Sequence, residues 1–349
     1  FVDKGMSIAH YVYDSSSFSY MMDKVPYMPH TAPVDITKIK QCSLTPQYVH
    51  AAFLDLPALF HNKYAFRLEC CAIRPEEYMK KRTGIVVNSG FFKVGSTFEL
   101  IGPYKGIRMR THHPFPKEVL SDLRHIVFSN KAQSITVHKT VPKNLGRQDY
   151  LLTSGPILVE NGKLVLTLEK LAENPQKYQC AEMVKRRNGV GYTRYKRRGK
   201  ICTAPINPAS LQMVTPDKKN PKKNVHVRTG TEAPSDCEQI NPGSFGHAAT
   251  PNPRTVLVLR SKQAQRDGRG NAVLVVVEGR FARGVGMDLA RLGQYCQEEL
   301  GAETAINLDG GQSSQMVWRS VSNNPSTVYR HNTSSVGYKV PVLAIVKRH

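Results

Sequence analysis

Between residues 272 and 318 the chain runs strand, helix, strand, and that order restricts the architectures open to it. Residues 272–278 read Ala-Val-Leu-Val-Val-Val-Glu, β-branched and aliphatic, and so predict a strand. Over 287–300 the apolar residues Leu289, Leu292, Cys296 and Leu300 recur at spacings of three, four and four. That pattern predicts an amphipathic helix, with Gly301 as its C-cap. Residues 305–308 form a second apolar strand. Two strands joined by a helical crossover run parallel, so their carboxyl ends share one edge of the sheet. Glu278-Gly279-Arg280 and Asp309-Gly310-Gly311 follow those two ends, at the edge where ligands bind in sheets of this kind.

The same order recurs at 64–92, without a repeat of fixed period. Residues 64–73 read as a strand, 75–81 as a short helix opened by Pro75, and 84–92 as a strand interrupted by Asn88. If this strand shares the sheet, Asn88 joins the two acidic turns. Residues 155–168 predict a hairpin about Asn161-Gly162, and 255–259 and 340–346 two further strands. Residues 1–60 lack clean periodicity and are read as an extension that wraps a neighbour or the domain itself. Residues 61–349 are then one domain, interrupted by a basic insertion at about 177–240.

Charge gives that insertion a second meaning. The chain has 49 Lys and Arg against 27 Asp and Glu, a formal net charge of +22, which attracts nucleic acid or another acidic polymer. Arg186, Arg187, Arg194, Lys196, Arg197 and Arg198 are the candidate polyanion contacts, with Tyr192 and Tyr195 available to stack among them. No zinc-finger spacing, RNP-like string or helix-turn-helix accompanies them. The seven cysteines show no Cys-x-x-Cys spacing, which argues against a zinc ribbon or thioredoxin-like motif. No Walker-type loop exists, and the Gly-Val-Gly at 284–286 is too short for a dinucleotide fingerprint. No apolar run reaches the roughly 18 residues of a transmembrane helix. The first residues lack a charged start and apolar block, so a targeting segment has been removed or none existed. The Asn332-Thr333-Ser334 sequon matters only in a secreted chain.

Two carboxylates facing one cleft are what glycoside cleavage requires, one kept protonated as acid and the other ionised as nucleophile or base. Arg254 and Arg280 could clamp a phosphate through bidentate donors. The amides of Gly310 and Gly311, with the hydroxyls of Ser313 and Ser314, could approach the same anion. Asp309, Glu278 and Asn88 could also ligate a hard divalent cation, although no spacing demands one and no cofactor is called for. Taken singly, Asp-Gly-Gly and Glu-Gly-Arg are also ordinary turn sequences.

Six strings set the combination apart: Asn88-Ser89-Gly90-Phe91-Phe92, Ser154-Gly155-Pro156-Ile157-Leu158-Val159, Asn252-Pro253-Arg254-Thr255, Val276-Val277-Glu278-Gly279-Arg280, Gly286-Met287-Asp288-Leu289, and the run from Asn307 through Asp309-Gly310-Gly311 to Met316. In order, they resemble the motifs of the phosphodiester glycosidase family, over about 64–168 and 244–346. The resemblance implies an α+β fold of mixed β-sheets with flanking helices, and hydrolysis of a sugar linked through its anomeric carbon to a phosphodiester. Carried over by position, it implies that Asn88 and Asp309 lie in the cleft; joined with the paired-carboxylate argument, Asp309, Glu278 and Asn88 are the candidate catalytic residues. The substrate contacts it implies are Arg254, Thr255, Gly279, Arg280, Gly310, Gly311, Ser313 and Ser314. The chain departs from the common pattern at Ser89, Glu278, Gln312 and Gln315. The alternative is an inactive relative that serves as a structural or polyanion-binding part of a virus or phage particle, docking on other particle proteins through residues 1–60. These readings favour a virion-associated or secreted location over the cytosol.

Overall fold

The computed structural model describes residues 5–13, 47–93, 99–106, 112–115, 117–167, 170–171, 192–197, 200–207, 212–216, 224–228, 237–238, 245, 248, 252–279, 286–319, 329–332 and 339–348. The chain divides into two compact units, residues 1–13, 47–167 and 251–349 in one and 14–46 and 168–250 in the other.

The first unit holds two large sheets. One has seven strands. Its members are β1 (Met6–Tyr13), β2 (Gln47–Leu54), β5 (Ile157–Glu160), β6 (Lys163–Leu164), β7 (Arg254–Arg260), β8 (Ala272–Val277) and β9 (Ala302–Asn307), in the order β1-β2-β8-β7-β9-β5-β6. The other comprises β3 (Tyr64–Ile73), β4 (Gly84–Asn88), β10 (Gln315–Arg319), β11 (Tyr329–Asn332) and β12 (Val340–Lys347), in the order β11-β10-β4-β12-β3. Helix α1 (Leu56–His61) follows β2, α2 (Pro75–Met79) links β3 to β4, and α3 (Leu289–Glu298) links β8 to β9.

The parallel relation expected of β8 and β9 is present, but they are not neighbours. β7 lies between them and is antiparallel to both. The second sheet repeats the device, with β12 antiparallel to β3 and β4 on its two sides. Every pairing in the two large sheets is antiparallel, which corrects the expectation of mixed sheets there. Among the described residues a parallel pair occurs in a small sheet, between Glu99–Ile101 and His112–His113. The unit is strand-dominated, and α+β describes it only in that short helices flank the sheets.

Alternation along the strands explains the core. Ala272, Leu274 and Val276 of β8, with Ala52 and Leu54 of β2, share one hydrophobic cluster with Ile85 and Val87 of β4 and Leu343 and Ile345 of β12. The opposite parity of β8 is buried as well, so this strand is apolar throughout. Each fully buried valine there contributes roughly 1.5–3 kcal/mol by leaving water. Helix α3 packs its Leu289, Leu292 and Cys296 face inward and contacts β9 and β5. Asp288 caps it by accepting from the Arg291 amide at 2.9 Å. Asn161 and Gly162, at φ 53° and 69°, close the β5–β6 hairpin in the tight turn their sequence predicts.

The described parts of residues 1–60 join the seven-stranded sheet. β1 and β2 pair over eight positions, and β2 then pairs with β8 from Val49↔Val277 to Leu54↔Ala272. The stretch read as a basic insertion lies in the second unit. There Tyr192–Arg197, Lys200–Asn207, Gln212–Pro216, Asn224–Arg228 and Cys237–Glu238 form a five-stranded antiparallel sheet. Arg194, Lys196 and Arg197 are on its Tyr192–Arg197 strand, whereas Arg186, Arg187 and Arg198 lie outside the described residues.

One close backbone approach secures the region beneath the acidic turns. Asn252 and Met287 exchange backbone hydrogen bonds at 3.2 and 3.0 Å. Gly286 sits at φ +93°, and a Cβ there would fall 2.2 Å from the Asn252 carbonyl oxygen. Gly286→Ala is therefore expected to destabilise the protein by about 3 kcal/mol, combining a disfavoured φ with a backbone clash. A urea or thermal unfolding midpoint equal to wild type would refute this.

Candidate active site

Because β8 and β9 run the same way on either side of β7, the ends of β8 and β9 and the start of β7 share one edge. Arg254 lies opposite Val277, and the Leu308 amide donates to the Thr255 carbonyl at 2.9 Å. Across the edge the order is therefore β2, Glu278, Arg254-Thr255, Asp309. Strands are spaced by about 4.8 Å, so the backbones at Glu278 and Asp309 stand about 10 Å apart. A ligand that engages both carboxyl groups has to reach across β7.

Asn88 reaches this edge from the other sheet. The condition of a shared sheet is not met, since β4 pairs with β10 and β12, yet its side chain crosses the gap. Fully buried, it donates from Nδ2 to the Asp309 carbonyl at 2.6 Å. Its Oδ1 accepts from the Thr255 hydroxyl at 2.7 Å and from the Gln315 amide at 3.1 Å. The Asp309 amide in turn donates to the Ser89 carbonyl at 3.0 Å. The Asn88 amide group thus pins β7, the Asp309 turn and β10 together. The Ser154-Gly155-Pro156 string is tied in similarly, through the Ser154 hydroxyl to the Asn307 carbonyl and the Asn307 Nδ2 to the Gly155 carbonyl, both at 2.9 Å.

The carboxyl group of Asp309 is strongly perturbed. Burial pushes its pKa from the ordinary aspartate range up to about 7, against the lowering effect of hydrogen bonds from the Ser313 side chain and the Gly310 amide. The Gly310 amide bond to Oδ1 is 2.9 Å. At neutral pH protonated and ionised forms coexist, as suits proton transfer. The turn amides proposed for an anion are used internally: Gly310 donates to Asp309 and Gly311 to the Pro253 carbonyl at 2.9 Å. Gly310 also admits a close neighbour, because a Cβ there would be 3.0 Å from the Pro253 carbonyl oxygen and 3.9 Å from an Arg254 guanidinium nitrogen. Arg254, buried at 4 % exposure, donates from Nε to the Met287 carbonyl at 2.8 Å. The guanidinium thus stands against the Asp309 turn. The hydroxyls of Ser89 and Ser314 are buried without a hydrogen-bond partner among the described residues, a condition usually relieved by water or a ligand.

Glu278 is placed by a residue that sequence reasoning missed. Its Oε1 lies 2.8 Å from Nε2 of His50, with both side chains buried, and its amide donates to the Tyr48 carbonyl at 2.9 Å. The signal was available: His50 is the one imidazole in the apolar run Val49-His50-Ala51-Ala52-Phe53-Leu54. Gly279 is buried beside Glu278, and Arg280 lies outside the described residues. Among the described residues no group of three or more His, Cys, Asp and Glu side chains is placed to hold a metal ion.

The structure thus brings Asn88, Thr255, Asp309, Gly310, Ser313 and Arg254 into one connected cluster. It holds Glu278 on the other side of β7 with His50. Comparison with solved structures gives the catalytic domain of zebrafish N-acetylglucosamine-1-phosphodiester alpha-N-acetylglucosaminidase, auto-inhibited by its pro-peptide, at 12% identity and TM-score 0.47. That alignment covers 99% of this chain and 85% of that one. A hypothetical protein from Synechocystis is similar at 13% identity and TM-score 0.44, covering 99% of this chain and 62% of that one. No curated protein sequence matches. Neither a particle nor a polyanion figures in these matches. The segment that carries Arg254, Glu278 and the Asp309 turn is matched by a family profile, whereas the Asn88 and Ser154 strings fall outside the match: residues 218–339 are similar to the phosphodiester glycosidase family.

Proposed function

We propose that the chain hydrolyses a glycosyl phosphodiester, breaking the bond between the anomeric carbon and the phosphate oxygen. The observation that carries this reading is an aspartate with a pKa near 7 on a sheet edge beside a buried arginine, within a segment similar to the phosphodiester glycosidase family. Asp309 is the general acid and gives its proton to the departing phosphate oxygen. Arg254 balances the charge that the phosphate gains. Glu278, on the far side of β7, accepts a proton from the water that attacks the anomeric carbon. The products are the free sugar and a phosphate monoester, and protons and charge balance once solvent returns Asp309 and Glu278 to their starting forms. Asn88 acts by holding the Asp309 turn, since its amide is engaged on both sides.

The test uses the full chain with N-acetylglucosamine joined through its anomeric carbon to a phosphodiester, and measures released sugar by chromatography. Stoichiometric sugar and phosphate monoester are expected. No release by a preparation with a cooperative unfolding transition would overturn the proposal.

A further inference from the structure

The strand that carries His50 lies outside every family-like string, yet it holds Glu278 at two points. The Glu278 amide donates to the Tyr48 carbonyl at 2.9 Å, which extends the β2–β8 ladder one residue beyond Val49↔Val277. Two residues along β2, His50 meets the Glu278 carboxyl group at 2.8 Å. The two side chains are 5% and 4% exposed, so water does little to orient either group. On β2 the positions 50, 52 and 54 share a parity, and Ala52 and Leu54 belong to the core cluster between the sheets. An imidazole at 50 therefore interrupts an apolar face, at a place where burying it is costly unless it is paired. Its pairing with a carboxylate at the end of the neighbouring strand is the compensation.

We propose that His50 is a positioning residue for Glu278, forming a His–Glu pair that fixes the carboxyl group beside the scissile bond. This deepens the role given to Glu278 in hydrolysis and rests on that reading. Glu278 follows a strand end and has more side-chain freedom than an aspartate would. A base displaced by about 1 Å loses on the order of 10²-fold in rate. A hydrogen bond from Nε2 to Oε1 removes that freedom and holds the carboxyl group without a covalent tether. It also makes β2 part of the active centre.

Four variants of the full chain decide this: His50→Ala, His50→Gln, Glu278→Gln and the double variant His50→Ala with Glu278→Gln. With the phosphodiester substrate, His50→Ala is expected to lower kcat about 10²-fold with KM little changed. His50→Gln, whose side-chain amide can also donate to Oε1, is expected to recover to within about tenfold of wild type. In the Glu278→Gln background, His50→Ala should cost nothing further in kcat, because the two residues act as one unit. A purely structural role would instead lower stability, leave kcat per folded molecule unchanged, and multiply with Glu278→Gln, and any of the last two results overturns the proposal. Imidazole ¹⁵N spectra give a second readout independent of turnover. The signal lost in His50→Gln should shift in Glu278→Gln, and an unshifted signal overturns the pairing. If wild type releases no sugar while that signal shifts, the hydrolase reading fails and the pair stands.

Discussion

Asp309→Asn is expected to lower kcat by about 10³-fold while leaving a folded protein that is more tolerant of neutral pH. The two effects share one cause. In the folded chain burial holds the Asp309 pKa at about 7, whereas an unfolded aspartate titrates near 3.9. Between these values the folded state binds a proton that the unfolded state has lost. Stability from this residue is therefore fully present below about pH 4 and is lost as pH rises through about 7. Asp309 is only half-buried by surface exposure, so solvent screening reduces the swing to roughly 2–4 kcal/mol. Asparagine cannot titrate, so the variant should lack this decline over pH 4–7 in urea unfolding. For wild type, kcat/KM should fall as pH rises through about 7, the behaviour of a required acid. An activity profile that rises through pH 7 instead would make Asp309 the base. A variant with wild-type kcat would remove it from the mechanism.

What could be read from the chain beforehand depended on whether local periodicity carried the information. Residues 64–73 and 272–277 repeat apolar side chains at strand spacing, and they form β3 and β8 where expected. The Leu289, Leu292 and Cys296 spacing locates α3 as well. The crossover argument correctly sets the ends of β8 and β9 on one edge. It could not reveal β7 between them, because no local pattern in 254–260 names its partners, and a strand buried on both faces fits several positions in a sheet. His50 escaped for a related reason. Its strand pairs with residues more than 200 positions away, and only that register turns an isolated histidine into the partner of Glu278. The turn glycines taught a different lesson. Gly310 and Gly311 were legible as a site for a close anion, but their amides are claimed by Asp309 and Pro253, a competition settled by tertiary packing.

Asn88 was legible as a residue and not as a role, and its replacement should have the largest combined effect on stability and turnover. Asn88→Ala removes one acceptor used by two donors and one donor used by the Asp309 carbonyl. Each buried group left unpaired costs about 1–3 kcal/mol. Water entering the space relieves part of this, so a loss of about 4 kcal/mol is expected. The same change unties the turn that carries the general acid, and kcat should fall by about 10²-fold even where the protein remains folded. Asn88→Asp separates the two consequences. It keeps the shape and accepts from Thr255 and Gln315, but an ionised carboxylate presents an oxygen to the Asp309 carbonyl where a donor is needed. At neutral pH it should be at least as damaging as alanine. Acidification that protonates residue 88 restores a donor, so its stability should approach that of wild type as pH falls. If Asn88→Asp instead matches wild type at pH 7 in both unfolding and turnover, the bond to the Asp309 carbonyl does not hold the turn, and the edge must be organised by Thr255 and Arg254 alone.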